Sequence, residues 1–187
     1  MSRIEPLTPP FASETADVLT AMMPPGVPPI ALFRTFARNL PMTRAMQGWG
    51  GYELSRHLSL SMRQRELVID RVTARCRCEY EWGVHIAFFA DRVGLTPAQI
   101  ASLTHGASTD PCWTDLAERA LLALVDALHD TADVDDATWA AAAEHLDPAQ
   151  QLLDTCLLTG WYHAISFAAN AARVPLEDAA PRFADVS

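Results

Sequence analysis

Apolar positions recur at helical spacing along most of this chain. Leu67, Val68 and Val72 predict a helix from about Ser61 through Arg75. Arg75-Cys76-Arg77 breaks it, and a second helix is expected from about Cys78 to Val93, with Gly94 as a left-handed C-cap. Thr96-Pro97-Ala98-Gln99 reads as a capping box with proline at the first helical position; that short helix ends near His105-Gly106. Thr114 or Asp115 opens a long helix whose buried stripe is Leu116, Ala120, Leu124 and Leu128. Asp135 or Asp136 starts the next, running through Trp139 to His145. Asp147-Pro148 starts the last long one, with Leu152, Leu153, Cys156, Leu157, Trp161, Ile165 and Ala168 along it, and Pro175 ends it. No segment alternates as a strand would. The chain reads as all-α.

The opening has a different texture, since eight of the thirteen prolines fall in the first 41 residues. Ser13 can cap a helix from Ala16 to Met22 that must stop at Pro24-Pro25. Ile30 to Asn39 reads as a second short helix, with Leu32, Phe33 and Phe36 on its apolar side. Met42 to Gln47 reads as a third, broken by Gly48, Gly50 and Gly51. The expected organisation is a proline-rich N-terminal arm over residues 1–41, one helical domain over 42–180, and a frayed tail over 181–187. An apolar arm of this kind suits wrapping a neighbour or another subunit.

Composition narrows the classes of function. At 187 residues the chain is long enough for one domain with a sizeable core that needs neither disulfides nor metals. A net charge of -9 argues against a nucleic-acid partner, which would want a basic face. All fourteen basic residues are arginines, which excludes Schiff-base catalysis by a lysine. No apolar run is long enough to span a membrane, and no signal-peptide pattern opens the chain. Four cysteines in a chain of this length are no disulfide framework, so a cytoplasmic location is expected. Cys156 reads as a buried, unreactive thiol and Cys112 as a loop residue.

The chemistry concentrates between Glu66 and His85. Cys78, Glu81 and His85 stand at i, i+3 and i+7, so a helix after Cys78 presents all three on one face. Glu66 lies on the preceding helix, within packing reach. Cys78 at a helix start, beside Arg77, would have its thiol pKa lowered and could act as a nucleophile; it could equally be a small buried residue. Cys76 and Cys78, two apart, are poorly placed for a relaxed disulfide. Glu81 and His85 are spaced for acid–base work, for sharing a metal with a third ligand such as Glu66 or His163, or for an ordinary helix pair. Glu66, flanked by Arg63 and Arg65, has the bland alternative of a solvated ion pair. Tyr80, Trp82, Trp161, Tyr162 and Phe167 suit a core, and some of them should line whatever cavity the polar group faces.

Glu66, eleven residues, Cys78, two residues, Glu81, three residues and His85 together resemble the signature of the carboxymuconolactone decarboxylase and AhpD-like alkylhydroperoxidase superfamily. The redox branch of that superfamily has a second cysteine where this chain has Glu81. Glu79-Tyr80-Glu81-Trp82-Gly83-Val84-His85, Arg63 to Ile69, Thr159 to His163 and Ala171 to Glu177 resemble the decarboxylase-like branch; the resemblance spans about Pro41 to Glu177. It implies an AhpD-like helical bundle that assembles as trimers or hexamers, with the site near subunit contacts. It implies no cofactor and no metal. The implied reaction is loss of CO2 or a related lyase or isomerase step on a small carboxylic acid or lactone. Glu66, Cys78, Glu81 and His85 are the implied catalytic set, with Glu81 or His85 delivering a proton. Arg75 or Arg77 would hold a carboxylate, with Tyr80, Trp82, Trp161 and His163 also around the substrate. The alternatives are a thiol peroxidase working through Cys78, with Cys76 resolving it, and a non-catalytic helical oligomer. Glutamate at position 81 cannot form a sulfenic acid, which disfavours dithiol peroxidase chemistry.

Overall fold

The structure is a computed structural model that describes residues 1–186. Every regular element among them is helical, as the periodicity predicts: α1 (Ser13–Ala21), α2 (Ala31–Phe36), α3 (Leu40–Glu53), α4 (Met62–Arg75), α5 (Glu79–Phe89), α6 (Pro97–His105), α7 (Leu116–Thr131), α8 (Asp136–Ala143) and α9 (Gln151–Ala172). None of these helices is long and apolar enough to cross a membrane.

The chain forms two compact units. The first holds residues 1–58 and 168–178. Its N-terminal residues are tied down by backbone bonds. The amides of Arg3 and Ile4 donate to the Ala172 carbonyl, and the Arg34 and Arg38 side chains donate to the carbonyls of Leu7 and Glu5. Glu177 accepts from the Ala31 amide at 2.6 Å and so caps α2 from a distant part of the chain. The glycines expected to stop the third helix do not: α3 continues through Gly48, Gly50 and Gly51 to Glu53. Its start is strongly set by the Asn39 cap on the Met42 amide and by Pro41 in the first turn. A mid-helix glycine costs only about 1 kcal/mol against alanine, which that start and its packing outweigh.

The second unit holds residues 59–167 and 179–187, and it carries the chemistry. Its centre is α4, which packs against α5, α6 and α7. Ser61 and Gln64 close a capping box at its head. From Arg65 to Ala74 every residue is buried, the charged ones included. Leu67, Ile69, Leu121, Leu124, Leu152 and Leu158 form the dry part of the core. Ion pairs join α4 to α7, among them Arg63 with Glu118, Arg71 with Asp126, and Arg75 with Asp130, each of these pairs 55 residues apart in sequence. A constant offset means that the two helices run parallel.

Between α4 and α5 the chain makes a Schellman turn. Arg77 is left-handed (φ 53°), its amide donates to Ala74 and that of Cys78 to Thr73. This turn places Cys76 at the C-terminus of α4 and Cys78 at the N-cap of α5. Both capping predictions at Thr96 and Asp115 hold. Gly94 is left-handed as expected (φ 66°), although α5 proper stops at Phe89. Residues 181–186 of the tail are not frayed. A short 3-10 turn, Phe183–Asp185, lies on α5, with the Phe183 ring 4.9 Å from Trp82 and the Phe183 amide donating to Glu79 at 2.8 Å. Gly83 permits this, because a Cβ there would stand 2.6 Å from the Pro181 carbonyl oxygen.

Candidate active site

Three helices deliver a buried polar chain. α4 carries Glu66 and Asp70 one turn apart, α5 carries Glu81 and His85 one turn apart, and α9 carries Tyr162. The His85 Nδ1–H donates to Glu66 Oε2 at 2.8 Å, and Arg65 Nε donates to the other carboxylate oxygen at 2.7 Å. On the far side of the imidazole, Nε2 lies 3.0 Å from the Tyr162 hydroxyl and 3.7 Å from Glu81 Oε2. Glu66 is wholly buried, so its pairing with Arg65 is not the solvated one the flanking arginines suggested; Arg63 reaches Glu118 instead. Half-buried Phe89 stacks on the imidazole, and the Arg65 guanidinium lies over Phe89 in turn.

The surroundings drive the four acids and bases apart. Burial pushes the Glu66 carboxyl up, but the charge and hydrogen bond of His85, with Arg65 behind them, pull it below the usual range. Glu81 has no such set of partners, so burial raises it and His85 offsets this only in part. Asp70 is raised well above its usual range by burial and then by the charge of Glu66; its Oδ1 has no hydrogen-bond partner. Burial lowers His85, but Glu66, Glu81 and Asp70 together carry it above the ordinary histidine value. The result is one ionised carboxylate, two acids held toward their neutral form, and an imidazole ready to carry a proton between them.

Cys78 does not become the activated thiol that its helix-start position suggests. It is fully buried, and that burial pushes its pKa up to about 11; the nearby Glu81 charge acts in the same direction. Desolvation outweighs the backbone N–H groups of the helix start. Brief treatment with an alkyl hydroperoxide, read by peptide mass spectrometry, should therefore leave Cys78 reduced. Fast, thiol-reversible oxidation of Cys78 would contradict this. No disulfide joins any of the four cysteines.

The residues expected around a substrate are dispersed. Tyr80 and Trp82 are core, and the Trp82 Nε1 has no hydrogen-bond partner. Trp161 is half-buried on α9. Arg75 and Arg77 line a cavity of about 670 Å³ together with Glu79, His105, His129 and Phe183; Glu66, Glu81 and His85 do not line it. His163 meets His129, Nε2 to Nδ1 at 2.7 Å, with the Cys76 sulfur 3.9 Å from that same Nδ1. Two members of the buried chain escaped the sequence reading. Asp70 carries a visible signal, standing one turn after Glu66, while Tyr162 was read only as a core or pocket aromatic.

Residues 41–127 match the model of the carboxymuconolactone decarboxylase family. No curated protein matches the chain. Solved structures do, at low identity. A peroxidase-related protein from Silicibacter sp. TM1040 superposes with a TM-score of 0.81 at 17% identity, over 96% of each chain. An AhpD-core, peroxidase-related protein from Ralstonia eutropha JMP134 gives 0.79 at 16% identity, over 94% of this chain and 93% of its own. A cysteine-to-alanine variant of the debrominase Bmp8, in complex with 2,3,4-tribromopyrrole, gives 0.69 at 18% identity, over 94% and 92%. At these identities the likeness speaks for the fold, and the fold is AhpD-like. Over residues 41–127, the stretch that holds the Glu66–Glu81–His85 constellation, the chain is thus similar to the carboxymuconolactone decarboxylase family, and its fold is AhpD-like.

Proposed function

We propose that this protein is a cofactor-independent enzyme that uses acid–base chemistry on a small carboxylic acid or lactone, with decarboxylation as the reaction that suits the site best. One observation carries the reading: two buried glutamates flank one imidazole, Glu66 at Nδ1 and Glu81 near Nε2, and their surroundings shift the two carboxyls in opposite directions. Such a split assigns roles. Glu81 is the acid that protonates carbon, His85 with Tyr162 returns a proton to it, and Glu66 holds the imidazole in place and stabilises its charged form.

In the proposed step the carbon–carboxylate bond breaks and CO2 leaves. The electron pair passes into a conjugated carbonyl of the substrate, and the proton of Glu81 forms the new C–H bond. Arg75 is committed to Asp126 and Asp130, and Arg77 lines the cavity that Glu81 and His85 do not line, so neither is assigned to the substrate carboxylate. The relay is closed from solvent, and Phe89, half-buried on His85, is the side chain whose movement would open it. A debrominase of this fold in complex with a brominated pyrrole supports a small cyclic ligand for the scaffold. Self-association belongs to the same reading, supported by the exposed apolar residues Leu153, Leu157 and Phe167 along α9.

Thiol peroxidase chemistry is the competing reading, and Cys78→Ser separates the two. A screen of lactones and unsaturated or keto acids for CO2 release should find a substrate whose turnover in Cys78→Ser stays within about threefold of wild type. Loss of that turnover in Cys78→Ser would overturn the acid–base assignment.

A further inference from the structure

Outside the buried relay, one cluster has the makings of a second site. Cys76 ends α4, His129 lies in the last turn of α7, and His163 lies on α9. One donor atom from each falls within 4.8 Å of the others, and all three residues are half-buried. We propose that Cys76, His129 and His163 form a binding site for a divalent metal ion of the zinc class, with its fourth coordination position toward the neighbouring cavity.

The donor set argues for this metal class. One sulfur and two imidazole nitrogens suit a borderline-soft ion, and would hold calcium or magnesium poorly. The geometry is close to what such an ion needs. Tetrahedral zinc, with bonds of about 2.3 Å to sulfur and about 2.0 Å to nitrogen, places sulfur and nitrogen about 3.5 Å apart and two nitrogens about 3.3 Å apart. The observed separations are 3.9 Å and 2.7 Å. The third pair, Cys76 with His163, lies within 4.8 Å, and side-chain rotations that move the atoms by up to about 1 Å bring all three to these separations. At 2.7 Å one imidazole must donate its N–H to the other, so the pair is a proton-bridged form of the same site. On binding, each imidazole turns its lone pair to the metal and carries its proton on the other nitrogen. Cys76 binds as thiolate, its proton passing to solvent.

The surroundings also fit. Asp130 Oδ1 lies 4.0 Å from Nε2 of His129, on the ring nitrogen turned away from the cluster. Metal-bound histidines commonly direct that nitrogen to a carboxylate. The cations facing the cluster, Arg71 and Arg75, are offset by Asp126 and Asp130, to which they are paired. The Schellman turn fixes the backbone that carries Cys76. His129 also lines the cavity of about 670 Å³, which leaves room for a water or an exogenous ligand in the fourth position.

Cobalt(II) titrated into chelator-treated full-length protein tests the site. The expected result is one Co2+ per chain, with a sulfur-to-cobalt charge-transfer band in the near ultraviolet, visible bands of four-coordinate intensity, and displacement by Zn2+. Cys76→Ser should abolish the charge-transfer band. His163→Asn should weaken binding at least about tenfold while circular dichroism shows the fold retained. Cys112→Ser and Cys156→Ser should leave the spectrum unchanged. A spectrum without the charge-transfer band in wild type, or one that His163→Asn leaves intact, would overturn the proposal.

Discussion

Glu81→Gln is expected to lower turnover of the cognate acid or lactone by about 10²–10⁴-fold, the range over which a placed general acid contributes. Glutamine matches the neutral glutamic acid in shape and cannot give up a proton. Because burial already holds Glu81 toward its neutral form, the variant should fold with a stability within about 1 kcal/mol of wild type. The loss should fall on kcat with KM little changed, since the missing interaction is one made in the transition state. Steady-state kinetics with a thermal melt of both proteins checks this. Undiminished kcat in a folded Glu81→Gln protein would remove Glu81 from the chemistry. A stability loss comparable to the kinetic one would make its role structural.

Arg71→Met is expected to cost about 3–5 kcal/mol of stability, the usual result of removing one partner from a buried charge pair. Arg71 is nearly fully buried, and its guanidinium holds Asp126 with two hydrogen bonds, Nε to Oδ1 at 2.6 Å and Nη2 to Oδ2 at 2.8 Å. The remaining nitrogen, Nη1, donates to the carbonyls of Ser102, Leu103 and Gly106 at the C-terminal end of α6, where carbonyls run short of helical partners; that of Ser102 also accepts from the Gly106 amide. One side chain therefore ties three helices. Arg71→Lys keeps the charge but not the fork, and should recover only part of the loss. The contrast is Arg44→Met, which breaks only an exposed pair with Glu14 and should change stability by under about 1 kcal/mol. Urea unfolding of the three variants decides. An Arg71→Met midpoint close to wild type would show that Asp126 and the α6 carbonyls find other partners.

What could be read from the sequence was what is local. Thr96, Pro97 and Gln99 encode a helix start within four residues, and Asp115 does so alone; the structure uses both. The fit of Glu66, Glu81 and His85 was also legible, because helical period fixes one pair and the neighbouring helix supplies the third group. The surroundings of those groups were not. Periodicity in α4 shows one apolar face, but nothing local says that the polar face is buried too. That burial depends on partners far along the chain, and it turned an apparent solvated ion pair at Glu66 into a desolvated one, and placed at Cys78 a buried thiol of raised pKa where the helix start suggested a lowered one. A signal did exist: the arginines at 63, 71 and 75 have the same spacing as the acids at 118, 126 and 130. Two helices in parallel register convert that match into a ladder. Cys76, His129 and His163 come from three elements with no common spacing, so only the packed structure brings them together.

His85 is held between Glu66, whose carboxyl is shifted toward its ionised form, and Glu81, whose carboxyl is shifted toward its acid form. The linkage has a definite sign. His85 has a raised folded-state value, so its contribution to stability is full below the unfolded histidine value and fades as pH rises through the higher folded one. Glu66 has a depressed value, so its contribution is present above the ordinary glutamate range and is lost as pH falls through the lower folded one. The direct measurement is a pH titration of the His85 ring nitrogens by 15N NMR, in wild type and in Glu66→Gln. The wild-type midpoint is expected above about 6.5, the ordinary histidine value, and that of Glu66→Gln is expected to be lower. A wild-type midpoint at or below that value, or one that Glu66→Gln leaves in place, would contradict that arrangement.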